Sequence, residues 1–290
     1  MNTKIIFMIF SAAMIVPLLT GAIAVFTAGR KKKRDKGSTA LLFHSITSCR
    51  NTHLSHFPPD KFDRLIDRIA VQGFTTSTLN EAASDASTSA RAKFVITFDD
   101  GFESFFTHAL PVLEAYGIKA TIFPIAGFMG KMSCWDVLPR QRHMTKAQLR
   151  EVSDSGHEIG SHTMTHSNLT FLDEKDVYRE LFESKRTLED LVGKPITSLS
   201  FPFGSWNARI WNKASEIGYL QATCYRHHGR IIKGLVPVRG VYSFDTIDDV
   251  IEKTISTSAF SNAIARSRIM CHFAKGTPLW NFRKNYALLR

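Results

Sequence analysis

Residues 97–101 read Thr-Phe-Asp-Asp-Gly, and the paired carboxylates Asp99 and Asp100 close an apolar run, Phe94-Val95-Ile96-Thr97-Phe98. Like charges side by side repel, so a chain that sets two acids together at a strand end has a use for both. Farther on, Ser-His-Thr-Met-Thr-His (161–166) carries His162 and His166 four residues apart. On a helix or tight loop such side chains lie about 5–6 Å from each other, close enough to grip one cation. One carboxylate completes a His-His-Asp set with positions left for water and substrate, as catalytic zinc sites do with three protein ligands. The cation's charge then offsets both acids. One aspartate holds it, and its neighbour acts as base toward a water whose pKa a divalent cation lowers to about 7. The bland alternatives are a helix N-cap for Asp-Asp-Gly and a chance pairing among 11 histidines.

Groups with these duties need rigid supports. From Ala40 onward, apolar runs at 40–46, 74–78, 93–98, 119–125, 157–162, 197–201, 220–224, 236–242 and 268–273 predict strands. Between them, Phe62, Leu65, Ile66 and Ile69 fall at helical spacing before Gly73. A second helix is expected over 105–116, stopping at Gly117. Thr145 and Gln148 form a capping-box pattern that opens a third, ending near Gly156. Val177, Leu181, Leu188 and Leu191 line a long helix closing at Gly193, and 208–217 and 247–254 supply two more. Residues 81–91 are small and polar and read as a connection. This alternation predicts an α/β fold with a parallel sheet, and about seven units suit closure into a barrel as one domain. In such folds chemistry gathers at the carboxyl ends of the strands. That rim receives Asp99, Asp100, His162 and His166, together with His44, Pro202-Phe203-Gly204 and His272.

Composition narrows the classes. The chain has 290 residues, 44% of them hydrophobic, and a net charge of +11. Residues 1–36 hold seven basic side chains against Asp35, a net of +6, so the remainder is only mildly basic and no nucleic-acid-binding domain is needed. Residues 5–29 carry no charge. About 20 apolar residues cross a bilayer core as a helix, so this run is expected to be an uncleaved membrane anchor, or else a signal. Residues 1–36 are therefore read as anchor with basic flank, and 37–290 as the catalytic domain. The basic stretch 30–36 argues for a cytoplasmic face on that side. The four cysteines (Cys49, Cys134, Cys224, Cys271) form no Cys-x-x-Cys pair, and they read as scattered buried thiols.

Taken in order, Thr97–Gly101, Ser161–His166, Phe201–Gly204 and Ile269–His272 resemble the motifs of the polysaccharide deacetylases with a NodB homology domain, carbohydrate esterase family 4. The flanking stretches 57–74, 109–124 and 144–166 agree, and the resemblance covers roughly 40–275. It implies a distorted (β/α) barrel and metal-dependent removal of N-acetyl groups from amino-sugar residues of a polysaccharide or oligosaccharide. By matching position, Asp99 resembles the general base, and Asp100, His162 and His166 the metal ligands, with Zn2+ first among divalent cations. His272 resembles the general acid, and Phe203 the residue whose backbone N–H meets the oxyanion. His44, Trp135 and Trp206 are candidates for the sugar site. Many relatives have an Arg where this chain has Ser200, and the acidic partner of that Arg is missing as well; Arg239 is a candidate substitute cation. Such a substrate asks for a domain outside the membrane, against the basic flank. The competing readings are a carbohydrate-binding or assembly protein without turnover, and another metal hydrolase such as a phosphoesterase, which would want more ligands for a second cation.

Overall fold

The computed structural model describes residues 39–48, 54–84, 93–133, 140–225 and 232–255. The chain runs β1 (Thr39–Phe43), β2 (Ser45–Ile46), β3 (His56–Phe57), α1 (Pro59–Val71), β4 (Thr75–Ser77), α2 (Leu79–Ser84) and β5 (Lys93–Asp100). A π-helical turn (Phe105–Ala109) then leads into α3 (Leu110–Ala115), β6 (Thr121–Pro124), α4 (Lys146–Asp154) and β7 (Glu158–Ile159). Next come α5 (Glu174–Val192), β8 (Ser198–Ser200), α6 (Ala208–Ile217), β9 (Gln221–Tyr225), β10 (Leu235–Gly240) and α7 (Ile247–Ile255). Residues 5–29, Trp135 and His272 lie outside the described residues, as does the strand expected at 268–273. Among the described residues no helix is long and apolar enough to cross a membrane.

Seven strands follow the order β7-β6-β5-β1-β10-β9-β8, every pair parallel. The ends of this path meet through one bridge, Ser161 to Leu199. There Ser161 N–H donates to Ser198 O and Ser200 N–H donates to Ser161 O, both at 2.9 Å. The result is a nearly closed parallel barrel ringed by helices. Strand β4 pairs with the first half of β5 and β6 with its second half, so both lie on the edge that β1 leaves.

Side chains alternate across a strand, and each strand here has two distinct faces. Ala40, Leu42, Val95, Phe123 and Val238 meet inside the barrel with Leu79 from α2. Leu41, Phe43, Phe94, Ile96, Phe98, Ile122 and Leu199 face the helices. Outside β5 the rings of Phe43, Phe57, Phe62, Phe98 and Phe105 pack with centroids 4.8–5.9 Å apart. Each such aromatic pair is worth about 0.5–1.5 kcal/mol beyond area burial, so the strand that ends in two aspartates is firmly held.

Most expected elements are present, and the Thr145–Gln148 capping box forms on both sides. Three differ. The segment 40–46 breaks at His44, and its second part pairs with the unforeseen β3. The helix expected over 105–116 opens as a π turn: Leu110 N–H bonds Phe105 O, five residues back, and Pro111 beside it has no N–H to give. Helix α2 occupies part of the expected connection. It buries only Leu79, so it has no apolar stripe to announce it. It stands on hydrogen bonds: Leu79 N–H to Thr121 Oγ1 and Asn80 N–H to Glu158 Oε2, each 2.9 Å. A capping box of Thr78 with Glu81 adds two more. Of the four cysteines, Cys224 lies among the described residues, buried and free, as its reading expected.

Candidate metal centre and active site

Val95, Thr97 and Asp99 share one face of β5, so alternation carries Asp99 into the barrel mouth. The same rule would send Asp100 outward with Phe98. The backbone overrides it. Asp100 turns left-handed (φ 66°) and Gly101 follows at φ 67°, with Gly101 N–H bonded to Asp99 O at 2.9 Å. Aspartate is among the few side chains that tolerate this region. Gly101 has no alternative, because a Cβ there would lie 2.7 Å from Pro124 Cα. The Asp-Asp-Gly triplet is thus a reversal that turns both acids into one site.

His162 and His166 arrive from the loop after β7, on no helix. Asp100 Oδ1 lies 3.5 Å from Nε2 of each. One donor atom from each of the three residues falls within 4.8 Å of the others, and all three residues are buried. His162 Nδ1 donates to the carbonyl of Ser200 at 2.8 Å, which leaves a lone pair on Nε2. That lone pair confronts a carboxylate oxygen at 3.5 Å, too far for a hydrogen bond and without a proton between them. A divalent cation satisfies all three donors at once, and this donor set fits one. Burial pushes the imidazole of His162 down to about 3, with His44 and His143 adding to the effect and the Ser200 bond opposing it. It holds His166 well below the usual range too, helped by His162, His143 and His44. Both rings stay neutral, the form that ligates.

Asp99 is 5% exposed. Burial pushes its carboxyl up to about 7, although Ser200 Oγ donates to Oδ2 at 2.9 Å and so lowers it. Ser200 shares the register of Thr223 and points into the same mouth from β8. Its hydroxyl therefore reaches Asp99 from across the mouth. Oδ1 is buried and has no hydrogen-bond partner among the described residues.

The structure sorts the remaining candidates. His44, half-buried after β1, lies near enough to His162 and His166 to depress both. Phe203 sits in left-handed backbone (φ 58°) with its ring 4.6 Å from that of His166. Trp206 stacks on Phe201, with centroids 6.1 Å apart. Arg239, on β10, stands in register with Leu41, one of the residues that face the helices. His143 went unread in the sequence. It is buried, donates Nδ1–H to Asp100 O at 2.8 Å, and is pushed down to about 4, chiefly by burial. The only sequence signal for it was its place just ahead of a capping box.

The family model for polysaccharide deacetylase matches residues 86–222, which contain Asp99, Asp100, His162, His166 and Ser200. Over that stretch, just under half of the chain, the sequence is similar to the polysaccharide deacetylases. Among similar proteins, YxkH of Bacillus subtilis is 31% identical over 183 residues, 62% of this chain and 61% of that protein. The peptidoglycan-N-acetylglucosamine deacetylase of Bacillus cereus is 32% identical over 125 residues, 43% of this chain and 52% of that protein. The chain thus spans less than two thirds of either curated relative. In fold, it resembles the Streptococcus pyogenes deacetylase PplD in complex with acetate, with a TM-score of 0.67 at 20% identity over 76% of this chain and 98% of that one.

Proposed function

We propose that the chain hydrolyses N-acetyl groups from amino-sugar residues of a polysaccharide or oligosaccharide with the help of a divalent cation, Zn2+ first among the candidates. One observation carries the reading: Asp100, His162 and His166 converge within 4.8 Å, with the buried carboxylate of Asp99 beside them. Deacetylase relatives support the reaction class, and the Bacillus cereus relative supports N-acetylglucosamine as the sugar.

Asp100 and the two histidines would hold the cation. Bound there, it supplies acidity to a water and polarisation to an acetyl carbonyl. Asp99, whose Oδ2 lies 3.9 Å from His162 Nε2, takes the proton as the water oxygen bonds to the acetyl carbon. Phe203 N–H is proposed to donate to the oxygen that gains charge. His272 is proposed to protonate the sugar nitrogen as the C–N bond breaks, leaving acetate and a free amine. Mass spectrometry of N-acetylglucosamine oligomers after incubation tests this. Loss of one acetyl group per event is expected, and unchanged oligomers with a folded, metal-loaded chain contradict it.

Ser200 orients Asp99 in this scheme. Hydrogen bonds to charged groups are worth about 1.5–3 kcal/mol, so Ser200→Ala lowers kcat about tenfold or more. KM stays close to the wild-type value, and Ser200→Thr recovers much of the loss. A wild-type kcat in Ser200→Ala removes Ser200 from the mechanism. The substrate class favours a domain outside the membrane, and residues 5–29 are proposed as its anchor. A phosphatase reporter fused after Gly37, active only outside, tests that placement, and a silent reporter rejects it.

A further inference from the structure

His162 and His166 belong to a loop whose backbone is unfavourable by itself. Thr163 and His166 are both left-handed, at φ 65° and 61°. Strained non-glycine residues of this kind cost on the order of 1–3 kcal/mol each and persist only where their surroundings over-determine them. One side of the loop is held through its carbonyls: Ala126 N–H donates to Thr163 O at 3.1 Å and Gly127 N–H to Met164 O at 2.9 Å. The approach is tight enough that a Cβ on Gly127 would lie 2.5 Å from Met164 O. The other side is held by a carboxylate. Glu180, on α5 and 6% exposed, accepts Met164 N–H at 3.0 Å and Thr165 N–H at 2.8 Å on Oε2, and Thr165 Oγ1–H at 2.6 Å on Oε1. Among the described residues no lysine, arginine or histidine pairs with it. A buried carboxylate needs compensation, and three converging donors, two of them backbone N–H groups, provide it.

We infer that Glu180 is a positioning residue for the metal centre, fixing the separation and direction of His162 and His166 by clamping the two peptides between them. The inference rests on the metal reading above. It adds a residue from outside the motifs, on a helix that contributes no ligand. Groups that orient metal ligands typically cost 10–100-fold in affinity when changed.

The test is a titration of the full chain with Zn2+ alone, and with Co2+ followed by its visible spectrum, beside the metal-free melting temperature. Glu180→Gln keeps the volume but turns an amide N–H2 toward donors. Its Zn2+ dissociation constant rises about 10–100-fold, and its Co2+ spectrum changes in a sample that is still folded. Thr165→Val removes one of the three bonds and gives a smaller loss of affinity, which Thr165→Ser recovers. A folded Glu180→Gln chain with wild-type affinity and spectrum overturns the inference. Should Glu180→Gln fail to fold, wild-type affinity in Thr165→Val overturns it. A wild-type chain that binds neither cation overturns the metal reading itself, and the inference with it.

Discussion

Asp100→Ala is expected to lower the affinity of the chain for a divalent cation by about 10²–10³-fold. That figure follows from sharing roughly 10–16 kcal/mol of zinc binding over four ligands. Activity should fall with it at any modest metal concentration. The geometry makes this residue central: its Oδ1 is the atom that both histidines face, at 3.5 Å each. Alanine also loses the tolerance of aspartate for the left-handed turn at φ 66°, so a second variant is needed. Asp100→Asn keeps that tolerance and the volume while removing the charge. It should lose affinity as well, with a metal-free melting temperature equal to or above wild type, because one of two adjacent buried acids is gone. Isothermal titration of both variants with Zn2+ checks the pair. Wild-type affinity in Asp100→Asn would falsify the ligand assignment.

Asp99→Asn separates the two acids in the opposite direction. It should bind the cation with nearly wild-type affinity and lose about 10²–10⁴-fold in kcat, the usual contribution of a positioned base. Asparagine fills the same space and can still accept from Ser200, whose hydroxyl now sits 2.9 Å from Oδ2. What disappears is the carboxylate that accepts the proton. Titration and acetate release, run on the same preparation, decide the matter. A variant that loses metal and rate together would make Asp99 a ligand instead, and one that keeps both would leave it no chemical role.

The sequence shows the barrel because a parallel strand buried on both faces is written as an apolar run, and 93–98 is such a run. It shows the site because Asp-Asp-Gly and the paired histidines are local patterns. What it hides is tertiary or conformational. Alternation alone sends Asp100 to the wrong face, and only the left-handed turn at Asp100 and Gly101 brings it back. Ser200 reaches Asp99 across the barrel mouth, from a strand a hundred residues away in the chain. The register of Arg239 with Leu41 is likewise a tertiary fact. Two further signals were in the text. Glu180 and Ser184 stand in the same helical stripe as Val177, Leu181, Leu188 and Leu191, and a polar residue in an apolar stripe is a buried polar group to be explained. Thr78 and Glu81 spell a capping box ahead of α2, obscured by the small residues that follow.

The most direct test of the account is a metal stoichiometry measured against acetate release. The full chain is stripped with a chelator, shown to be folded, and titrated with Zn2+ while acetate release from N-acetylglucosamine oligomers is followed. The account predicts one tightly bound cation per chain, with activity absent in the stripped protein and rising in step with occupancy to a plateau at one equivalent. Full activity in the stripped, folded chain, or saturation with metal and no acetate released, would contradict it.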